Sequence, residues 1–250
     1  MISNSILWAD CLEVLPDIPD GSIDMILVDP PYGSTRAAWD QVLPMAEFWR
    51  QHMRVIKDNG AVIVTANQPF ASHLIVSNER YFKYDLIWKK NKSTNFLNAK
   101  RMPLRCHEYV LVFYKKPPTY HPQKTFGHKP VNSHTKKPYG GDVYGNTNKT
   151  YKGGGQTDRH PLSIQSFPIV NNDSAERVHI SQKPVELFAW LIRSYSNEGA
   201  VILDSCAGSC TTAIAAMQEN RQFICIESDY DMYRKARDRV VRYKNAVSNK

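Results

Sequence analysis

The four-residue segment Asp29-Pro30-Pro31-Tyr32 carries the most informative side chains of the sequence. It directly follows the apolar run Ile23–Val28, which predicts a strand that ends at Asp29. Proline has no N–H and fixes its own φ, so the Pro30 carbonyl is held as an acceptor beside the Asp29 carboxylate. Two such acceptors can hold both hydrogens of an aromatic amine and aim its lone pair at an electrophile.

Catalysis at such a site would consist of positioning, together with stabilisation of the positive charge that develops on the amine. Tyr32 offers a flat face on which a base extruded from a nucleic-acid stack could lie. The amine is itself the nucleophile, so neither a metal nor a covalent intermediate is required. We therefore expect Asp29, Pro30, Pro31 and Tyr32 to be the catalytic residues.

A second candidate site is the segment Asp204–Thr212, with the sequence DSCAGSCTT, between an apolar run and an amphipathic stretch. Small residues let a ligand approach the backbone, and the amides at a helix start favour an anion. Glu227 follows about 20 residues later, where an acid accepts hydrogen bonds from ribose hydroxyls in dinucleotide-binding folds. Cys206 and Cys210 have no companion His or Cys at ligand spacing, so no metal is expected.

Elements that alternate between strand and helix are predicted to position these residues in a doubly wound, mostly parallel α/β sheet. The predicted strands are Ser5–Ala9, Ile23–Val28, Ala61–Ala66, Tyr84–Trp88, Glu108–Tyr114, Ala200–Leu203 and Phe223–Ile226. The predicted helices are Val42–Lys57, Pro69–Ser77, Pro184–Ser196, Thr211–Asn220 and Tyr230–Tyr243. Ligands bind beyond the carboxyl ends of such strands, so Asp10, Asp29, Asp204 and Glu227 should share one site.

The tetrapeptide resembles the DPPY motif of amino-methyltransferases that act on DNA. The longer run DMILVDPPYGSTRAAWD, which ends at Asp40, resembles their adenine-modifying branch, whereas cytosine-modifying enzymes usually begin the motif with Ser. The catalytic motif precedes the cofactor loop, and this permuted order resembles the beta class. The segment from Gln182 to Leu187 resembles the one that precedes the cofactor loop in that class. The segment Asp204–Thr212 resembles the glycine-rich cofactor loop itself, although Cys210 stands where relatives commonly have Gly.

The resemblance implies a circularly permuted, Rossmann-like class I methyltransferase fold that transfers the methyl of S-adenosyl-L-methionine to N6 of a flipped adenine in double-stranded DNA. It implies that the strand Ser5–Ala9 pairs beside Phe223–Ile226, and that Lys183 lies near the methionine carboxylate of the cofactor. The residues that it assigns to the cofactor are Asp10, Cys11, Asp29, Lys183, Asp204, Cys206, Gly208, Ser209, Thr211 and Glu227.

The charge pattern favours a polyanionic partner, because the formal net charge is +8 and basic residues concentrate between Lys83 and Lys152. The Gly-, Pro- and Asn-rich stretch 117–180 lacks periodicity, so we predict a target-recognition insert there. Residues 1–116 and 181–250 would form the catalytic and cofactor-binding domain. The predicted DNA-binding residues are Lys89, Lys92, Arg101, Arg105, Lys124, Lys129, Lys136, Lys137, Lys149 and Lys152.

Several alternatives stay open from the sequence. A cytosine-N4 methyltransferase would share the fold and the cofactor, as would an enzyme that acts on RNA or protein. The substituted cofactor loop would also suit a DNA-binding protein without turnover. The resemblance further suggests a homodimer, which suits palindromic sites, and leaves a partner restriction enzyme undecided. Five cysteines without a CxxC pair, no apolar run of membrane-spanning length and no signal peptide favour a cytoplasmic, nucleoid-associated protein.

Overall fold

The protein divides into two compact units in a computed structural model that describes residues 3–94, 96–138, 140, 149–171, 173–174 and 176–248. The first unit is Met1–His121 with Ser163–Lys250, and the second is Pro122–Leu162. The second unit is shorter than the predicted insert 117–180. The difference arises because residues after Leu162 form a strand of the first unit, and because the His121 N–H donates to the Ser194 carbonyl of that unit.

The first unit is built on an eight-stranded sheet with helices on both faces. The strands of the whole chain are β1 Ser5–Trp8, β2 Ile23–Val28, β3 Ile56–Ala66, β4 Phe82–Thr94, β5 Arg105–Phe113, β6 His134–Lys136, β7 Tyr151–Gly153, β8 Ile164–Ser166, β9 Val201–Asp204 and β10 Gln222–Glu227. The helices are α1 Cys11–Val14, α2 Met45–Val55, α3 Phe70–Ser77, α4 Val185–Tyr195, α5 Thr211–Gln218 and α6 Tyr230–Ser248.

The strand order is β1-β10-β9-β2-β3-β5-β4-β8. The pairs from β1 to β3 are parallel, β5 is antiparallel to both β3 and β4, and β8 is parallel to β4. The predicted mostly parallel α/β sheet is therefore confirmed. The predicted place of the N-terminal strand is confirmed too, because Ser5 lies opposite Ile224 and Trp8 lies opposite Glu227.

The core consists of two apolar layers, one on each face of the sheet. In β2, Met25 and Leu27 pack with α4 and α5, whereas Ile26 and Val28 pack with α2 and α3. Successive side chains of a strand point to opposite faces, so a strand covered on both faces must be apolar throughout. This burial fixes where β2, β9 and β10 end, and so it brings their terminal acids to one edge.

Several element boundaries differ from the predicted ones. The helix predicted at Val42–Lys57 begins only after Pro44, and β3 begins five residues before the predicted strand. Gly60 permits this longer strand, since a Cβ there would lie 2.6 Å from the Asp24 carbonyl oxygen. The short helix α1 was not predicted, because a single turn leaves no periodic pattern.

The second unit contains β6 and β7, which pair antiparallel, and an isolated bridge between Thr125 and Arg159. Residues 139 and 141–148 of the predicted insert, together with 172 and 175, lie outside the described residues. Among the helices that the structure describes, none is long and apolar enough to cross a membrane.

Candidate active site

Asp29 follows β2 at the carboxyl edge of the sheet, where Val28 lies opposite Val64 of β3. Its Oδ1 accepts hydrogen bonds from the Tyr32 hydroxyl, at 2.6 Å, and from the Thr65 hydroxyl. Its Oδ2 accepts a hydrogen bond from Lys183 Nζ at 2.6 Å. Donors from three parts of the fold therefore hold this carboxylate in one orientation.

Tyr32 contributes its hydroxyl as well as its ring. The ring stacks on Phe70 with centroids 5.4 Å apart, and Lys183 Nζ lies 5.5 Å from its centroid. Burial raises the pKa of Tyr32 well above its usual value, and the negative charge of Asp29 raises it further. The phenol thus stays protonated and donates to Asp29, while its use as a stacking face for a base stays a prediction.

Asp40 holds the turn that follows Tyr32, a role that was not predicted from the sequence. Its Oδ1 accepts the N–H groups of Tyr32 and Gly33 at 2.7 and 2.8 Å, and its Oδ2 accepts those of Ser34 and Thr35 at 2.9 and 2.6 Å. Burial opposes ionisation, but these hydrogen bonds outweigh it and lower the pKa of Asp40. Its place at the end of the DPPY-containing run was the available signal.

Lys183 lies between two carboxylates. Its Nζ is 2.6 Å from Asp29 Oδ2 and 3.4 Å from Glu108 Oε2, and Lys90 pairs with the other oxygen of Glu108. The sequence did not single out Glu108 or Lys90. An acid at the start of the otherwise apolar strand prediction Glu108–Tyr114 was the only signal for Glu108.

A cavity of about 500 Å³ opens next to Asp29, within the size range of small-molecule sites. All ten residues that the sequence assigned to a cofactor line it, namely Asp10, Cys11, Asp29, Lys183, Asp204, Cys206, Gly208, Ser209, Thr211 and Glu227. Pro31 lines it as well. Sequence reasoning missed Trp39 and His179, which meet edge to face with ring centroids 5.2 Å apart at this cavity.

The loop after β9 is held by its two flanking acids. Asp204 accepts the Cys206 N–H at 3.1 Å and the Thr212 hydroxyl, and burial raises the pKa of Asp204 to about 7. Glu227 Oε2 accepts the Gly208 N–H at 2.7 Å. Hydrogen bonds thus hold the loop to both neighbouring strands.

Cys210 adopts a left-handed conformation, with φ of 54°, directly before α5. This conformation favours Gly, because a Cβ disfavours the left-handed region by about 1 kcal/mol or more. The buried thiol packs in the core formed with α4 and α5. The turn therefore forms despite the substitution.

His52 of α2 is fully buried and supports the cofactor loop. Its Nδ1 donates to the Phe48 carbonyl at 2.6 Å, so its Nε2 accepts the Ser205 hydroxyl at 2.9 Å. Burial lowers the pKa of His52 to about 4. The imidazole is therefore neutral in the folded protein at neutral pH.

We expect His52 to make the fold acid-sensitive. An unfolded histidine takes up its proton near pH 6.5, so as pH falls toward 4 the unfolded state gains stability that the folded state does not. Between pH 7.5 and pH 5 this linkage should remove about 2 kcal/mol of stability. Urea unfolding at both pH values should show a smaller loss for His52→Gln than for the parent. The exposed His73→Gln is the matched control, and an equal loss in all three proteins would contradict the prediction.

Comparison with known proteins decides the family. A family model described as DNA methylase, covering N6 and N4 methyltransferases, matches residues 23–238. The chain belongs to the DNA methylase family. It is therefore a DNA methyltransferase that uses S-adenosyl-L-methionine, as its motifs predict.

This methyltransferase is similar to the DNA adenine methyltransferase YhdJ of Escherichia coli (strain K12), with 28% identity over 242 residues, covering 90% of this chain and 78% of the relative. The solved M1.HpyAVI–SAM complex is 22% identical, with a TM-score of 0.64 and coverage of 94% of this chain and 98% of that chain. The solved PvuII DNA methyltransferase, described as cytosine-N4-specific, is 15% identical, with a TM-score of 0.67 and coverage of 98% and 92%. The class I fold of the methyltransferase is thus confirmed.

The predicted DNA-binding cations of the methyltransferase fall in both units. Lys89, Lys92, Arg101 and Arg105 lie on or beside the β4–β5 hairpin of the first unit. The last β3–β5 pair joins Ala66 to Tyr109, so the hairpin extends past β3 at the edge where Asp29 lies. The second unit carries six, all exposed: Lys124, Lys129, Lys136, Lys137, Lys149 and Lys152.

Proposed function

We propose that this methyltransferase acts on N6 of adenine, with Asp29 holding the amino group. The observation that carries the role of Asp29 is the set of hydrogen bonds around its carboxylate. A carboxylate offers about four lone-pair positions. Tyr32, Thr65 and Lys183 occupy three, and a fourth is left for an amino hydrogen beside the cofactor cavity. The Pro30 carbonyl would accept the second hydrogen.

The residues around the cavity fit S-adenosyl-L-methionine. Each carboxylate oxygen of Glu227 accepts one backbone N–H and keeps a further lone pair for ribose hydroxyls at the end of β10. Gly208, at φ +47°, leaves open space where a Cβ would stand. When bound, the cofactor supplies an electrophilic methyl group on a sulfonium sulfur. The chain itself would orient the amine and stabilise the positive charge that develops on it.

Adenine must flip out of the DNA duplex to reach Asp29, and this costs a few kcal/mol of lost base stacking and pairing. Tyr32 would offer stacking in return. The ten predicted cations and the segment 117–180 stay our candidates for phosphate contacts and target recognition, respectively. A two-fold dimer stays the expected state for a palindromic site.

The choice of adenine rests on the Asp that begins the DPPY motif and on the resemblance to the adenine-modifying branch. The Escherichia coli relative, described as a DNA adenine methyltransferase, supports the same choice. The likeness to a cytosine-N4-specific structure favours the second candidate, N4 of cytosine. Both targets are exocyclic amines, so two acceptors could hold either one.

Product analysis tests the proposal. The pure protein is incubated with unmethylated genomic DNA and methyl-labelled S-adenosyl-L-methionine, and the released nucleosides are separated by mass spectrometry. We expect labelled N6-methyladenine. Labelled N4-methylcytosine would overturn the base assignment and keep the mechanism. Absence of label, with no cofactor binding by calorimetry, would favour a DNA-binding protein without turnover.

A further inference from the structure

We propose that Lys183 and Glu108 are positioning residues for Asp29. Lys183 fixes the carboxylate, and Glu108 offsets the ammonium charge so that the site stays negative toward the reacting amine. This inference rests on the proposed function and deepens it. It also gives Lys183 a different task from the one that the family resemblance implies.

Lys183 is held in place by its backbone as well as by its charge. Its side chain is 7% exposed, and Nζ lies 2.6 Å from Asp29 Oδ2. The Lys183 carbonyl accepts the hydroxyl of Thr211, the first residue of α5, at 3.2 Å. The ammonium is therefore less mobile than that of a surface lysine, and it can fix the orientation of the Asp29 carboxylate.

Glu108 supports Lys183 from the opposite side. Its side chain is 9% exposed, and Oε2 lies 3.4 Å from Lys183 Nζ without a well-aligned hydrogen bond. Its Oε1 pairs with Lys90 of β4, whose side chain is equally buried. Asp29, Lys183, Glu108 and Lys90 thus form a chain of three ion pairs in which the sign of charge alternates.

Both partners stay charged at neutral pH. Burial alone would lower the pKa of Lys183, but the attraction of Asp29 and Glu108 outweighs it and raises that pKa. Burial alone would raise the pKa of Glu108, but Lys183 and Lys90 outweigh it and lower that pKa. An ion pair that is buried this deeply is retained only when its charges are balanced.

The net charge around Asp29 decides how well the site stabilises the positive charge that develops on the amine. Asp29, Lys183 and Glu108 together carry one net negative charge, and Lys90 lies beyond Glu108. Without Glu108, the Asp29–Lys183 pair is neutral and stabilises a developing cation less well. The other titratable groups that face this pair are Tyr32, which donates to Asp29, together with His179 and Asp204.

The first test is Glu108→Gln, which keeps the shape and removes the charge. We expect single-turnover methyl transfer to slow by about 10- to 100-fold. The affinity for S-adenosyl-L-methionine and the KM for DNA should stay within about threefold. Glu219→Gln is the matched control, because the Glu219 side chain is 13% exposed, close to the 9% of Glu108, and it pairs with the more exposed Arg193 at the far end of α5. Equal rates in the two variants would overturn the role of Glu108.

The second test compares Lys183→Met with Lys183→Arg. In Lys183→Met two carboxylates face each other with no cation between them, so the acid limb of the rate–pH profile should move up by about one unit or more. Lys183→Arg keeps the cation and should keep the limb near its original pH. If Lys183→Met instead weakens cofactor binding and keeps the rate at saturation, Lys183 serves the cofactor and the inference is wrong.

The parent protein in the same assay separates two kinds of failure. If the folded parent protein labels no base, both the proposed function and this inference are wrong. An active parent whose variants keep its rate and pH profile would overturn the inference alone. Thermal melting of each variant shows whether a lost rate reflects lost folding.

Discussion

Asp29→Ala is expected to lower the rate of methyl transfer by about 10³-fold. The substitution removes the acceptor of an amino hydrogen and the negative charge next to the developing cation. Cofactor binding should persist, because the other nine assigned residues still line the cavity. Rapid-quench single-turnover assays with methyl-labelled cofactor measure the rate, and calorimetry and fluorescence anisotropy measure binding of cofactor and DNA.

Asp29→Asn separates charge from shape. The Asn amide keeps an oxygen that can accept the hydroxyls of Tyr32 and Thr65. Because the negative charge is gone, the rate of methyl transfer by Asp29→Asn should fall nearly as far as that of Asp29→Ala. Asp85→Asn, at an exposed position of β4, controls for the loss of one negative charge elsewhere. A rate for Asp29→Ala within tenfold of the parent would rule out the proposed mechanism.

Glu227→Ala is expected to weaken the binding of S-adenosyl-L-methionine by about 100-fold, on the scale of a lost charged hydrogen bond. The side chain lies in the cavity wall, where it accepts the Gly208 N–H at 2.7 Å and the Asp229 N–H at 2.8 Å. Its removal would take away both the partner of the ribose and an anchor of the cofactor loop. Calorimetric titration with the cofactor measures the effect.

The two substitutions should affect different kinetic constants: Glu227→Ala the affinity for the cofactor, and Asp29→Ala the rate at saturation. At saturating cofactor Glu227→Ala should regain most of the parent rate, whereas Asp29→Ala should not. Asp231→Asn is the control for Glu227, since this exposed acid of α6 is close in sequence and does not line the cavity. Cofactor affinity of Glu227→Ala within threefold of the parent would show that this acid does not hold the ribose.

The elements that carry the site could be predicted because strands buried on both faces must be apolar throughout. Ile23–Val28 is such a run, and the structure gives β2 the same bounds. The acids that end these runs, Asp29, Asp204 and Glu227, were thus recognisable as neighbours at one sheet edge. The resemblance supplied the permuted order, and the pairing of β1 with β10 confirmed it.

Other features depend on contacts between residues far apart in the chain. Lys183 was recognised, but its pairing with Asp29 spans 154 positions, and no local pattern encodes it. Glu108 was overlooked, because a single acid in an apolar run has no period and its partners come from other elements. The second compact unit is shorter than the predicted insert 117–180, because β8 pairs with β4 of the first unit and this pairing is likewise non-local.

The sequence by itself determined the candidate catalytic tetrapeptide, the small-residue loop and the alternation of strands and helices, since each depends on residue types at short spacing. Only the tertiary structure decided which charges face one another. Four paired ionic groups, the partly buried Asp29 and the buried side chains of Lys183, Glu108 and Lys90, come from four separate segments. Their burial is tolerated only when the whole fold brings opposite charges within reach.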